Sequence, residues 1–193
     1  MIETHLRSLE AALRHLRRST PLLLRWGEVL AETLEGGGRL LACGNGGSAA
    51  QAQHLTAELV GRYQGERRPF SAISLHTDTS AVTAIVNDYG ADELFARQVA
   101  AHGRAGDVLL ALSTSGGSAN VIAAAKTASG IGMRTWALTG PAPNPLAAVC
   151  GQALTVEAHS TAAVQEVHLA VVHLLCEVFD RRITPARERA VRT

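Results

Sequence analysis

Lysine is almost absent from this sequence: among its 18 Lys and Arg residues, only Lys126 is a lysine. The chain has no Gly-Lys-Ser/Thr run, which excludes a Walker A nucleotide-binding loop. The formal net charge is only +1, so electrostatics give no reason to expect binding to nucleic acid or to an anionic membrane surface. We therefore expect neither a nucleic acid nor a membrane as a partner.

Cysteine is also scarce. Cys43, Cys150 and Cys176 lack the spacing of metal ligands, and their odd number argues against a disulfide framework. Each lies in an apolar run, which is typical of a small buried hydrophobe. The N-terminus has no apolar signal region, and no apolar stretch is long enough to span a bilayer. These absences favour a protein of the reducing cytoplasm.

The residues that are present predict one domain over 1–193, since 47% of them are hydrophobic. Residues 1–35 form a helical arm, with leucines at helical spacing and a break near Pro21. Such an arm needs a surface to cover, and packing against another subunit would supply it. An α/β core follows over 36–183, and a charged flexible tail occupies 184–193.

The core alternates short apolar runs with amphipathic segments, a pattern that predicts an α/β fold with a parallel sheet and helices on both faces. The predicted strands are Arg39–Cys43, Ser71–Leu75, Asp107–Leu112, Arg134–Leu138 and Ala153–Val156. The predicted helices are 47–62, 79–100 with a break near Asp88, 117–129, 144–149 and 161–181.

Two loops at the carboxyl ends of strands have the composition of a phosphate site. "CGNGGS" (43–48) offers Asn45, Gly46, Gly47 and Ser48, and "LSTSGGSAN" (112–120) offers Ser113, Thr114, Ser115 and Ser118. Glycine lets the backbone approach a ligand, and the following helix start supplies free N–H groups. The alternative is that Ser48 and Ser118 are ordinary N-caps. No acidic residue ends the second strand at the distance a ribose needs, which disfavours a nicotinamide cofactor.

A second set of polar residues lies on two helices. His54 and Glu58 are four residues apart, on one face of the helix that starts at the first loop. The last helix carries Gln165, His168 and His173 among aliphatic residues. Gln165 lies about 80° from His173 around the helix axis, so the two could face one site. Periodicity alone does not choose between His168 and His173.

The motifs together resemble a known family. "GNGGS", "QHLTAELVGRY", "AIVNDYG", "GDVLLALSTSGGSANV", "ALTG" and "QEVHLAVVHLLCE" are similar, in this order and over nearly the whole chain, to the sugar isomerase (SIS) domain family and its phosphoheptose isomerases. The resemblance implies a flavodoxin-like sandwich with five parallel strands, and a homotetramer with active sites at subunit interfaces. The implied substrate is a phosphorylated seven-carbon sugar, sedoheptulose 7-phosphate.

The resemblance also implies residue roles. Glu58 and His173 match the catalytic pair, and the serines of the two loops match the phosphate ligands. Further substrate-binding positions match Arg62, Asn87, Asp88 and Gln165. Zn²⁺, where family members bind it, would be held by His54, Glu58, Gln165 and His173. One departure is Ala162, which stands where some relatives have an aspartate.

Two other functions compete with this interpretation. A branch of the same fold, the replication initiator-associating proteins, has a motif similar to "SAAQAQH" and lacks the counterpart of Glu58. This chain would then be a non-catalytic module that binds a sugar phosphate or a protein. The other possibility is an isomerase of a different phosphosugar. The presence of Glu58 together with His173 favours an enzyme that exchanges ketose and aldose through an enediol.

Overall fold

A computed structural model of the chain describes residues 2–158 and 160–184. The arm consists of helices α1 (Ile2–Leu16) and α2 (Thr20–Glu35), joined by a 3₁₀ turn at Arg17–Ser19. Pro21 lies in the first turn of α2, where the missing N–H costs nothing, so the predicted break is confirmed. The predicted tail from 185 onward lies outside the described residues.

The sheet has five parallel strands in the order β2-β1-β3-β4-β5, which confirms the predicted fold class. The strands are β1 (Leu40–Cys43), β2 (Ala72–Ser74), β3 (Val108–Ser113), β4 (Arg134–Thr139) and β5 (Gln152–Thr155). Each strand end differs from the prediction by at most one residue. The cause at β1 is visible: the Arg39 amide donates to the Asp107 carboxylate over 2.9 Å, so pairing with a neighbouring strand begins at Leu40.

Six helices complete the core. They are α3 (Gly47–Val60), α4 (Thr79–Tyr89), α5 (Leu94–His102), α6 (Ala119–Ile131), α7 (Pro145–Val149) and α8 (Thr161–Ile183), with a 3₁₀ turn at Ala91–Glu93 between α4 and α5. This turn is the predicted break of the 79–100 segment. Gly90, at φ 88°, ends α4 in a conformation that suits glycine.

Two hydrophobic cores cover the two faces of the sheet. Residues of α1, α2, α3 and α8 fill the first core, and residues of α5, α6 and α7 fill the second. Side chains alternate between them along each strand: Leu40 and Ala42 face the first core, whereas Leu41 and Cys43 face the second. The strand order reverses between β1 and β3, which is where α/β sheets bind ligands. The two glycine loops follow these two strands.

Helix α8 corrects one expectation. It is 23 residues long with a mean hydropathy of 1.5 in its most apolar window, enough by length and composition to cross a membrane. The expectation that no apolar stretch is long enough was therefore wrong. Half of that window is buried inside the protein, mainly against α2, α1 and α3. Packing in the first core thus accounts for the apolar character of α8.

Helix α4 has the opposite relation to the core. Its sequence, TSAVTAIVNDY, contains several aliphatic residues. None of its residues 79–89, all of which the structure describes, is buried, and Val86 and Tyr89 are 40% and 54% exposed. The helix begins at Asp78, whose carboxylate accepts a hydrogen bond from the Ala81 amide over 3.0 Å. It is therefore a properly capped helix with an uncovered apolar face.

Candidate active site

The two glycine loops enclose one small polar cavity at the carboxyl edge of the sheet. Its volume is about 110 Å³, the space of three or four water molecules. The lining residues are Asn45, Ser48, Leu112, Ser113, Thr114, Ser115, Ser118 and Gln165. We call this cavity the cradle. Most of the sequence-predicted phosphate ligands therefore lie around one point.

The hydroxyl groups of Ser48 and Ser118 do not cap the helices that begin at the two loops. Gly46, not Ser48, is the N-cap of α3, and Ser48 lies buried in the first turn. Ser118 is the N-cap residue of α6, yet its hydroxyl caps no amide within the described chain. It lies 3.0 Å from the Ser113 hydroxyl instead. The N-cap alternative for these serines is thus not what the structure shows, and the hydroxyls converge on the cavity.

An amide pair fastens the two loops together. Asn45 Nδ2 donates to Asn120 Oδ1 over 2.9 Å, and Asn120 Nδ2 donates back to Asn45 Oδ1 over 3.1 Å. Asn45 belongs to the first loop and Asn120 to the first turn of α6. This reciprocal pair fixes the distance between the starts of α3 and α6, which flank the cradle.

Backbone hydrogen bonds also connect the second loop to the segment that follows β4. The Gly140 amide donates to Thr114 O, and the Leu146 amide donates to Gly116 O. Gly116 has φ 63°, and a Cβ there would fall 2.1 Å from Asn144 Oδ1. Only glycine fits at this position, because its conformation and its space both exclude a side chain.

Helices α3 and α8 start at the same edge of the sheet and run alongside each other. At the cradle end, a Cβ on Gly47 would lie 2.5 Å from Gln165 Nε2, so the two residues touch closely. Gln51 Nε2 donates to the main-chain oxygen of Gln165. About two helical turns further on, His54 faces His173. Gln165 and His173 therefore both face α3, the convergence that their spacing allowed.

His54, Glu58 and His173 form a contact cluster at this second level. His54 Nε2 lies 3.1 Å from Glu58 Oε1 and 3.1 Å from His173 Nε2. The two imidazoles share a hydrogen bond between their Nε2 atoms, and the Glu58 carboxylate lies within ion-pair distance of the same His54 nitrogen. The Tyr63 ring stacks on the His173 ring with centroids 5.9 Å apart.

His168, the other histidine of α8 that the pattern allowed, lies elsewhere. It is fully buried in the fold, and its Nε2–H donates to the Thr139 carbonyl over 3.2 Å. Burial lowers its pKa to about 4, and the bond to Thr139 opposes that shift. A neutral, enclosed imidazole has no route to a substrate, so His168 is a core residue and His173 is the one that faces the candidate site.

Three predicted residues are not brought to the cradle. Arg62 is exposed beyond the end of α3, where its Nη1 donates to the Gln64 carbonyl over 2.9 Å. Asn87 and Asp88 are exposed on α4 and bond to each other, from Asn87 Nδ2 to Asp88 Oδ1, over 2.7 Å. Ala162 is exposed at the start of α8. A single chain therefore assembles part of the predicted set.

The sequence analysis missed two residues at the site and a third beside it. Asn120 was quoted within a motif but not selected, and Tyr63 was read only as part of "GRY". Arg67 lies in a charged loop of residues 61–69 that a composition argument assigns to solvent, yet its side chain is 6% exposed. Only Asn120 carried a usable signal, since an amide next to a phosphate loop often bonds to that loop.

The same geometry bears on whether the site could hold a metal. Over residues 2–158 and 160–184, no group of three or more His, Cys, Asp or Glu side chains is already arranged around a metal position. The nearest arrangement is the cluster above, in which His54 contacts Glu58 and His173 directly. Its imidazole and carboxylate groups belong to the ligand types that zinc prefers.

Comparison with known proteins identifies the class. The SIS domain model matches residues 4–140, more than half of the chain. A protein from Listeria monocytogenes superposes with a TM-score of 0.68 at 14% identity, covering 97% of this chain and 91% of that one, which shows the shared fold alone. The chain thus has the SIS domain fold with a phosphate-sized cradle at its switch point.

More similar relatives narrow the assignment. A phosphoheptose isomerase from Streptomyces coelicolor is 64% identical over 176 residues, covering 91% of this chain and 76% of the relative. The structure of phosphoheptose isomerase from Neisseria gonorrhoeae superposes with a TM-score of 0.84 at 42% identity, over 93% of this chain and 95% of that one. The chain belongs to the phosphoheptose isomerases of the SIS domain family and is an aldose–ketose isomerase. Of the competing interpretations, the non-catalytic module is therefore set aside.

Proposed function

We propose that this chain converts sedoheptulose 7-phosphate to D-glycero-D-manno-heptose 7-phosphate through an enediol. The observation that carries the proposal is the contact cluster of Glu58, His54 and His173, two helical turns along α3 from the cradle. The cradle would hold the phosphate, and the binding energy of that remote group would position C1 and C2. Helical side chains lean toward the helix start, which aims the Glu58 carboxylate back toward the cradle.

In this mechanism Glu58 takes the proton from one carbon and returns it to its neighbour. His173 moves the proton between the two oxygens. It is needed because an enediol forms only when one proton leaves a carbon and another reaches the carbonyl oxygen. His54, whose Nε2 lies 3.1 Å from Glu58 Oε1, restricts the orientation of the carboxylate. Tyr63 covers one face of the His173 ring, and burial raises the pKa of its phenol, so it stays a neutral wall of the site.

We also propose that His54, Glu58, Gln165 and His173 bind a zinc ion through their side chains. The donor set of two imidazoles, a carboxylate and an amide oxygen suits this ion. When bound, zinc would supply Lewis-acid polarisation of the sugar oxygens. Zinc content of the purified protein, measured by mass spectrometry for wild type and His54→Gln, tests this independently of activity. Equal zinc in both proteins would refute the assignment of His54.

We also propose a cytoplasmic homotetramer whose active sites lie at subunit boundaries. The uncovered apolar face of α4 and the exposed leucines of the arm, Leu6 and Leu13, are surfaces that association would bury. Association through α4 would also bring Asn87 and Asp88 to another chain's cradle. Sedimentation equilibrium would test the stoichiometry, and a monomer at assay concentration would overturn it.

The assay for the reaction follows sedoheptulose 7-phosphate by NMR in D₂O. We expect conversion to the aldose together with incorporation of solvent deuterium at C2, since an enediol exchanges its carbon-bound proton. Fructose 6-phosphate and an amino-sugar phosphate serve as parallel substrates. Turnover of one of these in preference to the heptose would reassign the substrate. Deuterium at a carbon other than C1 or C2 would contradict the enediol route.

A further inference from the structure

Arg67 is a buried charge outside the residues assigned above. Its side chain is 6% exposed, and its guanidinium carbon lies 5.5 Å from the ring centroids of both Phe70 and Phe179. The two rings themselves meet edge to face with centroids 5.0 Å apart. An arginine is buried in this way only when its donors are satisfied, so the destinations of those donors are informative.

Most of the donors go to the C-terminal end of α3. Arg67 Nη2 donates to the Glu58 carbonyl, and Nη1 donates to the carbonyls of Leu59 and Gly61 over 3.0 and 3.3 Å. Nη1 also reaches the Arg68 carbonyl at 3.2 Å. The last carbonyls of a helix lack intrahelical partners and carry partial negative charge, which a guanidinium neutralises. One of the capped residues is Glu58 itself.

The remaining contact leads to α8. Arg67 Nε donates to Asp180 Oδ1 over 2.9 Å, and the Asp180 side chain is only 16% exposed. Asp180 lies about two helical turns beyond His173 on the same helix. Cys176 lies between these levels. Burial raises its pKa to about 12, and the charges of Glu58 and Asp180 add to that shift. The guanidinium thus ties the end of α3 to α8 beside the contact cluster.

We infer that Arg67 and Asp180 are positioning residues that set the distance between Glu58 and His173. The inference rests on the proposed acid–base roles of those two residues. A buried ion pair adds little net stability compared with apolar packing. We therefore attribute the hydrogen bond from Arg67 to the Glu58 carbonyl to positioning of α3 rather than to stabilisation of the fold. Displacement of a reacting group by about 1 Å can cost on the order of a hundredfold in rate, which makes such a clamp consequential.

The test compares Arg67→Lys and Asp180→Asn with the control Arg68→Lys. Arg68 is exposed and lies over the same Phe70 ring, 4.4 Å from its centroid. Lysine keeps the charge but lacks the fork that reaches α3 and α8 together. We expect kcat of Arg67→Lys to fall about 10- to 100-fold with KM within about twofold of wild type, because the cradle lies at the other end of α3. Arg68→Lys should match wild type in both.

A second measurement does not depend on turnover. The ring-proton chemical shifts of His54 and His173, measured by NMR at one fixed pH, should change in Arg67→Lys and Asp180→Asn and stay unchanged in Arg68→Lys. The rates are divided by the folded fraction measured by circular dichroism, and the chemical shifts are those of the folded protein. A normal kcat per folded molecule together with unchanged imidazole signals would overturn the clamp. A wild-type protein inactive on the heptose phosphate would overturn the proposed substrate only, since the imidazole signals would still test the clamp.

Discussion

Two helices that carry predicted site residues, α8 and α4, differ in how the fold uses them. Helix α8 has nine buried residues and presents Gln165 and His173 to α3 from a fixed position. Helix α4, residues 79–89 of the described chain, has no buried residue and presents Asn87 and Asp88 to solvent. Core packing therefore preforms one part of the site within a chain. The other part lies on a surface that, under the proposed function, another subunit completes.

The largest effect should come from breaking the preformed part. Glu58→Gln removes the proposed base while keeping its size and its contact with His54. We expect kcat to fall by about 10² to 10⁴, the range for loss of a general base, with substrate affinity nearly unchanged. Turnover by NMR and binding by calorimetry measure the two quantities.

The control for that exchange is Glu10→Gln, on the exposed face of α1. It should leave turnover at the wild-type level. Isomerisation by Glu58→Gln at the wild-type rate would remove Glu58 from the mechanism. A matching loss of binding would instead place it in substrate recognition.

Complementation tests the α4 part directly. Asp88→Ala and Glu58→Gln should each be inactive alone, and co-expressed together they should regain activity. If one subunit supplies Glu58 and its neighbour Asp88, about a quarter of the sites in a 1:1 mixture combine two intact residues. Activity of the purified mixed oligomer measures the recovery.

The matched control pairs Glu58→Gln with His173→Asn. These residues belong to the same chain's cluster, so mixing them should restore nothing. Recovery in that control, or its absence in the Asp88 mixture, would contradict the division of the site between subunits.

The cradle supplies a smaller, separable effect. Gly116→Ala places a Cβ 2.1 Å from Asn144 Oδ1 at φ 63°. Strain of this kind costs about 1–3 kcal/mol, and the displaced loop should raise KM for the sugar phosphate more than it lowers kcat. Gly130→Ala is the control, because a Cβ there meets no atom within 4 Å in α6. That exchange should stabilise the protein by about 0.5–1 kcal/mol. Urea unfolding and steady-state kinetics separate the outcomes, and an unchanged KM in Gly116→Ala would argue against the cradle.

Much of this fold was readable from the sequence, because a parallel sheet buried on both faces produces short apolar runs. The loops at 43–48 and 112–120 were readable too, since glycines and hydroxyls at strand ends have few other uses. The choice of His173 over His168 was not, because both lie among aliphatic residues and only the neighbouring helices distinguish them. Arg67 was unreadable for a related reason: Phe179, which helps to bury it, lies more than a hundred residues away in sequence.

The smallest expected effect is a change in the pH dependence of stability caused by His168. It distinguishes this core histidine of α8 from His173, the histidine of the same helix that faces the site. The pKa of His168 is lowered to about 4 in the fold, against an ordinary value of 6.5, so below pH 6.5 the unfolded chain binds a proton that the folded chain refuses. The contribution of the neutral His168 imidazole to the free energy of unfolding is fully present above pH 6.5 and is lost as the pH falls toward 4. Between pH 7 and 5 we expect a loss of about 2 kcal/mol in the free energy of unfolding.

His168→Gln keeps a donor for the Thr139 carbonyl and cannot titrate, so this loss should shrink in the variant. The pKa of His76 is also lowered by burial, and that group accounts for part of the slope that remains. Urea unfolding at both pH values measures the difference, with exposed His15→Gln as the control. Since His168 lies away from the contact cluster, kcat per folded molecule at pH 7 should be unaffected. A variant with the wild-type pH slope would mean that His168 is hydrated in solution and that burial does not separate it from His173.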